Sequence, residues 1–216
     1  RDFETLRPEL SAGDTINMLR RLIYTTPIRW GTRQRPDGSL IYDPDTIEPV
    51  LASSYKVSED RQLIEFTLHS SAKFANGDPI NAQALKDSYA WFLATRGSGQ
   101  LRVNGLPSAD RIEVVDDVTV RLNLDRPVAW GLIGNALLSS SSIVHAKEIL
   151  KHATADDPYG LKWLETKTVE SGAFVIETWQ KGSMMSLVPN PHAFQPAKLE
   201  RIILQVVPDA STRRII

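Results

Sequence analysis

The chain has 216 residues, 42% of them hydrophobic and 24% charged, with 25 basic residues against 26 acidic ones and a formal net charge of -1. That balance leaves no basic surplus to hold a phosphate backbone and no Lys/Arg cluster stands out, which excludes nucleic acid as a partner. The absence of cysteine removes disulfides, thiolate metal sites and thiol nucleophiles together, and no apolar run approaches the ~18 residues of a membrane span.

In chain order, Asp14 is placed to cap a helix with Ile16, Leu19, Leu22 and Ile23 along one side and Arg20 and Arg21 turned to solvent. That helix runs into Tyr24-Thr25-Thr26-Pro27. The polar stretch from Arg33 to Pro44 folds back at Pro36-Asp37-Gly38 and predicts a surface hairpin. Strands follow over Ser54 to Val57 and Leu63 to Leu68; in the second, Ile64, Phe66 and Leu68 alternate with polar residues, so one face is wet and one buried. Asn76-Gly77-Asp78-Pro79 is a turn, and Asn81 caps a helix running to about Thr95, closed by Gly97-Ser98-Gly99.

The middle of the chain predicts strands over Arg111 to Val115 and Thr119 to Leu124 across the two-residue turn Asp116-Asp117. Pro127 opens a helix over Val128 to Leu138, and shorter helices follow over Ala146 to Lys151 and Pro158 to Leu164. The last third reads as a hairpin, Gly172 to Trp179 and Met184 to Val188 about Lys181-Gly182, and then a strand over Leu199 to Val207. Asp209 to Ile216 begins a helix that nothing stops, and Leu6-Arg7-Pro8 is extended with no strand before it. Both ends therefore read as cut from a longer polypeptide. Strand pairs interspersed with helices make the fold α+β.

Chemistry-bearing patterns are sparse. His69, His145, His152 and His192 have no metal-ligand spacing; His145 and His152, seven apart, read as two surface residues rather than a metal pair. There is no nucleophile elbow, phosphate-binding loop or dinucleotide fingerprint. Asp116-Asp117 and Asp156-Asp157 sit where turns and caps favour Asp, rather than where paired carboxylates could work together. The five tryptophans, Trp30, Trp91, Trp130, Trp163 and Trp179, are core candidates, with one or two available to line a cleft.

Three successive segments carry a resemblance. They are Pro49-Val50-Leu51-Ala52-Ser53-Ser54-Tyr55-Lys56-Val57-Ser58-Glu59-Asp60, then Ile64-Glu65-Phe66-Thr67-Leu68, then Ala72-Lys73-Phe74-Ala75-Asn76-Gly77-Asp78-Pro79-Ile80-Asn81-Ala82, followed by Leu85-Lys86-Asp87-Ser88. In that order they resemble the signature of the bacterial extracellular solute-binding proteins of family 5, the peptide- and nickel-binding components of ABC importers. Ile23-Tyr24, Ser171-Gly172-Ala173-Phe174, Asn190-Pro191-His192-Ala193-Phe194, Leu199-Glu200-Arg201-Ile202 and Val207-Pro208-Asp209-Ala210-Ser211-Thr212 extend it along the chain. The family's Gly-Thr-Gly-Pro is altered here, with Glu170 at or near its first glycine and Ala173 in place of its proline.

The resemblance implies a periplasmic-binding-protein-like fold of type II, in the large three-subdomain class, truncated to the first lobe and its small subdomain. Residues 1–30 would begin lobe one, 31–167 form the small subdomain, and 168–216 return to lobe one and stop at the crossover to a second lobe. It implies a receptor without catalysis, cofactor or bound metal, which captures a small solute between two lobes and delivers it to a membrane permease. An oligopeptide is the expected ligand, with an oligosaccharide or a metal chelate as alternatives; the receptor would be a monomer, periplasmic or extracellular, with a lipid anchor before processing left open. The ligand-facing residues expected on this half are Tyr24 and Thr25, the run Ser139, Ser140, Ser141 and Ser142, and Trp91. For Tyr24 the alternative is a core-rim tyrosine, for the serines a plain linker, and for Trp91 the core. Two other functions compete: a secreted α+β hydrolase, and a sensory or chaperone-like module on the same fold.

Overall fold

The computed structural model describes residues 5–10, 14–95, 99–139 and 142–207. Its largest sheet is antiparallel and four-stranded, built from β3 (Ala52–Val57), β4 (Leu63–Leu68), β5 (Ile112–Val114) and β6 (Thr119–Asn123) in the order β3-β4-β6-β5. The alternation in β4 is realised: Ile64, Phe66 and Leu68 are buried while Glu65 and Thr67 are half-exposed. Register pairs Phe66 with Val120 and Ile64 with Leu122, so the apolar faces of both strands coincide. On the wet face Glu65 and Arg121, also paired in register, form an ion pair at 2.8 Å.

Helix α2 (Ala82–Ala94) is packed against this sheet. The Asn81 side chain accepts a hydrogen bond from the Ala84 N–H at 3.0 Å, satisfying one of the free donors of the first turn. Leu85, Tyr89 and Phe92, at helical spacing, are fully buried. In the turn before the helix, Asn76 and His145 hydrogen-bond to the Asp78 carboxylate, and these two contacts, that from His145 foremost, hold Asp78 below the usual carboxylate range.

A separate hairpin joins β1 (Ile28–Gln34) to β2 (Leu40–Pro49). Its turn closes on Gly38 at φ +84°, with the Asp37 carboxylate accepting from both the Ser39 N–H and its hydroxyl. A three-stranded antiparallel sheet, β7 (Phe174–Gln180), β8 (Met184–Pro189) and β9 (Ile202–Gln205), completes the strands, and α1 (Asp14–Ile23) touches β7. The buried apolar residues of α1, α2 and both larger sheets form one continuous cluster.

Several boundaries differ from expectation. Asp116 accepts from the N–H groups of both Val118 and Thr119, so the β5–β6 connection is a wider loop than a two-residue turn. The helix expected over Pro158 to Leu164 is only a 3-10 turn at Trp163–Glu165, because Gly160 takes φ +66° inside it. A short α3 (Gly99–Val103) follows α2 where only a stop signal was read. Helices α4 (Trp130–Ser139) and α5 (Ala146–Lys151) are close to their expected positions. Residues 96–98 and the helix start expected from Asp209 onward lie outside the described residues. Among the described residues no helix is long and apolar enough to cross a membrane, and no group of three or more His, Asp or Glu side chains could hold a metal.

Candidate functional site

A cleft of about 700 Å³ opens where the C-terminal end of α1, the β1–β2 hairpin, Ser142, the turn at 171–173 and residues 193–195 converge. Its floor is made by backbone joints between remote parts of the chain. The Ser171 and Gly172 N–H groups both donate to the Ile23 carbonyl, at 3.1 and 2.9 Å, satisfying an acceptor that the last turn of α1 leaves free. A Cβ on Gly172 would lie 2.7 Å from Leu22 O, Ile23 C and Tyr24 N, so glycine is what permits this approach.

Next to that contact, three residues close a ring of hydrogen bonds. The Thr25 N–H donates to Ser171 Oγ at 3.1 Å, the Ser171 hydroxyl donates to Ile143 O at 2.5 Å, and the Ile143 N–H donates to Thr25 O at 2.9 Å. Each group is at once polarised by its neighbour, and Ser171 is only 4% exposed, which strengthens such a network. Ser88 on α2 ties the same segment to the helix, donating to Ser142 O and accepting from the Val144 N–H. The cleft is thereby joined to the main body through residues 142–144.

The turn itself carries Glu170 where a glycine was expected by resemblance. Its side chain is largely buried and accepts from the Ile176 N–H at 3.2 Å; burial raises its pKa above the ordinary glutamate range. The Glu170 carbonyl accepts from Ala75 N–H, so the departure from the family pattern is absorbed without breaking the turn.

Of the residues expected to face a ligand, Tyr24, Thr25 and Ser142 come together on the cleft wall. Tyr24 is buried and its hydroxyl is shared with Thr168 Oγ1 at 2.5 Å; burial raises its pKa. Ser139 ends α4, and Ser140 and Ser141 lie outside the described residues. Trp91 is not brought to the cleft: it is 3% exposed, and its indole N–H donates to Tyr159 O at 2.9 Å. Of the five tryptophans, Trp30 lines the cleft. His145, expected at the surface, is buried, with its Nε2 on the Asp78 carboxylate at 2.7 Å and its Nδ1 accepting from the Glu148 N–H, while His152 stacks on the Trp163 ring at 4.5 Å.

One orientation is corrected. Arg20, expected in solvent, is 7% exposed, and its guanidinium donates to Ser142 Oγ at 3.3 Å and Asn17 Oδ1 at 3.4 Å. Desolvation lowers its pKa, opposed by the nearby Tyr24 and Glu9. Helical periodicity in α1 could not reveal the segment at Ser142 that covers this face. The cleft residues that sequence reasoning did not select, Ser171 and Gly172, did carry a signal in the motif Ser171-Gly172-Ala173-Phe174.

The family model described as bacterial extracellular solute-binding proteins, family 5 Middle, matches residues 46–215. The probable D,D-dipeptide-binding periplasmic protein DdpA of Escherichia coli is 34% identical over 170 residues, which are 78% of this chain and 32% of that protein. The periplasmic murein peptide-binding protein MppA of Escherichia coli is 27% identical over 169 residues, 70% of this chain and 30% of that protein. Among solved structures, the PBP AgaA in complex with agropinic acid, from A. tumefaciens, matches with a TM-score of 0.77 at 27% identity, over 98% of this chain and 39% of that one. The chain spans about a third of the length of the curated relatives it matches. The fold is that of the type II periplasmic binding proteins.

Proposed function

The chain belongs to the bacterial extracellular solute-binding proteins of family 5, and on that premise we propose that it supplies one wall of a two-walled receptor for a small solute. The second wall would come from the length that the relatives have and this chain does not span. Solute would bind between the walls, and closure about a hinge would produce the form that docks on an ABC permease. An oligopeptide is the ligand we favour, in line with the peptide-binding names of the relatives. The receptor would work as a monomer in the periplasm or outside the cell.

The observation that carries this reading is the cleft at the end of α1, about 700 Å³ and lined by side chains of α1 and the β1–β2 hairpin and by the turn at 171–173. It has the volume of a small-molecule site and is open on one side, as a half-site would be. A division of the chain into 1–30 and 168–216 as lobe one, with 31–167 as its small subdomain, fits the joints at Ile23, Thr25 and Ser171, which bind the first and last parts together.

We infer binding without chemistry. The two serines on the wall are committed to structure, Ser171 donating to Ile143 O and Ser142 accepting from Arg20, with neither beside a base. Calorimetry of the full-length receptor against peptides, oligosaccharides and nickel chelates tests the proposal. Saturable binding of one class with one solute per chain is expected; failure to bind any of them overturns it.

A further inference from the structure

We infer that the cleft selects solutes carrying a carboxylate, and that Arg21 is the side chain that reads it; this rests on the receptor reading above. Among the described residues the cleft wall contains three arginines, Arg20, Arg21 and Arg29, and no Asp or Glu, in a chain whose net charge is -1. Carboxylates stand next to two of the three, Glu48 at Arg29 and Glu9 near Arg20.

The three arginines are not equivalent. Arg29 is paired across the hairpin with the Glu48 carboxylate at 2.8 Å, so its charge is met within the chain. Arg20 is buried and committed to Ser142 and Asn17. Arg21 is exposed at the last turn of α1, and among the described residues it forms no ion pair. Its Nη1 donates to the Tyr42 phenol oxygen at 2.6 Å, and its guanidinium carbon lies 5.5 Å from the centre of the Tyr42 ring. A tyrosine orients the cation without neutralising it.

A guanidinium is a planar fork of five donors, and one contact to Tyr42 leaves the remaining edge for a two-point grip on a carboxylate. Water satisfies that edge while the cleft is open. A second wall closing over Arg21 would strip the water away, and an unpaired cation in a water-poor gap opposes closure. A carboxylate on the solute removes that opposition as the cleft shuts, whereas a neutral amide or sugar leaves it in place. Closure itself would then discriminate between charged and neutral solutes.

The test is titration calorimetry of the full-length receptor with trialanine, trialanine C-terminal amide, citrate and maltotriose, in low and high salt. At least one of the two carboxylates should bind, about tenfold or more tighter than the amide and the sugar, since a hydrogen bond to a charged group contributes about 1.5–3 kcal/mol. Added salt should narrow that ratio. In Arg21→Gln the ratio should fall toward one with thermal stability unchanged, and Arg21→Lys should restore part of it. A neutral probe binding as tightly as the carboxylates overturns the inference and leaves the receptor reading standing. An acid preference that survives in Arg21→Gln overturns the role of Arg21. A receptor that binds none of the four overturns the inference and counts against the receptor reading with it.

Discussion

The four-stranded sheet with α2 and the cleft at the end of α1 are built by different means. In the first, caps and turns are satisfied close by in the chain, Asn81 capping Ala84 three residues on and Asp116 holding Val118 and Thr119, while longer ties span 54 positions from Ser88 to Ser142 and 56 from Glu65 to Arg121. In the second, the partners are remote. Tyr24 meets Thr168 across 144 positions, Thr25 meets Ser171 across 146, and Arg20 meets Ser142 across 122. Local caps and periodicity shape the elements of the body, whereas the cleft rests on contacts between the two ends of the chain, so damage to each should read out differently.

The largest effect is expected in the body. Phe66 is fully buried at the centre of the sheet, and Phe66→Ala should lower the unfolding free energy in urea by about 3–5 kcal/mol. Because the apolar cluster is continuous, that loss should appear equally in probes of the cleft and of the sheet. Separate transitions would break the picture of one shared core.

Gly172→Ala comes next. The added methyl meets α1 backbone at 2.7 Å, and backbone cannot swing aside as a side chain can, so a loss of about 1–3 kcal/mol is expected. Solute affinity in the full-length receptor should fall with it, since the end of α1 must move. Gly131, whose Cβ would meet nothing within 4 Å, is the control: its alanine variant should be neutral or gain up to about 1 kcal/mol, what helix propensity alone gives. Equal effects at the two glycines would contradict the joint described at Ile23.

Ser171→Ala tests the ring of hydrogen bonds, leaving the Thr25 N–H and Ile143 carbonyl each one partner short. A loss of about 1–2 kcal/mol is expected, with hydrogen exchange at Thr25 accelerated and that at Ala84 unchanged. Unchanged exchange at Thr25 would show that the ring contributes nothing.

The smallest effect concerns pH. Burial raises the Glu170 pKa, so the folded state holds a proton that the unfolded state has already released. Its contribution to stability is complete below the ordinary glutamate range and declines as pH rises through the raised value. Glu170→Gln keeps an acceptor for Ile176 N–H and has no charge to bury. The variant should match the parent in acid and exceed its Tm by about 2 °C near neutral pH. An offset independent of pH would contradict the burial argument.

The legibility of the sequence follows the same division. Alternation in Ile64, Phe66 and Leu68, the cap at Asn81 and the Pro36-Asp37-Gly38 turn are local signals, and the structure has them where they were read. The burial of Arg20 is not legible locally, because its amphipathic position says nothing about a segment 122 residues away that covers it. Trp91 is an apolar residue on the buried face of α2, and nothing local marks it as different from a tryptophan at a cleft. Tyr24, Thr25 and Ser142 were placed in the cleft region through the family resemblance, since no local rule distinguishes them. Ser171 and Gly172 belonged to a quoted motif, yet their role depends on the Ile23 carbonyl, which only the fold brings to them.

The central claim is that solute binds at the wall assembled from the end of α1 and the turn at 171–173. Hydrogen exchange on the full-length receptor, with and without the tightest-binding peptide of the calorimetric panel, tests it directly. Added solute should slow exchange in residues 20–26 and 171–173 while leaving the paired strands β4 and β6 unchanged. Protection confined to other parts of the receptor, with these two segments unaffected, would contradict the account.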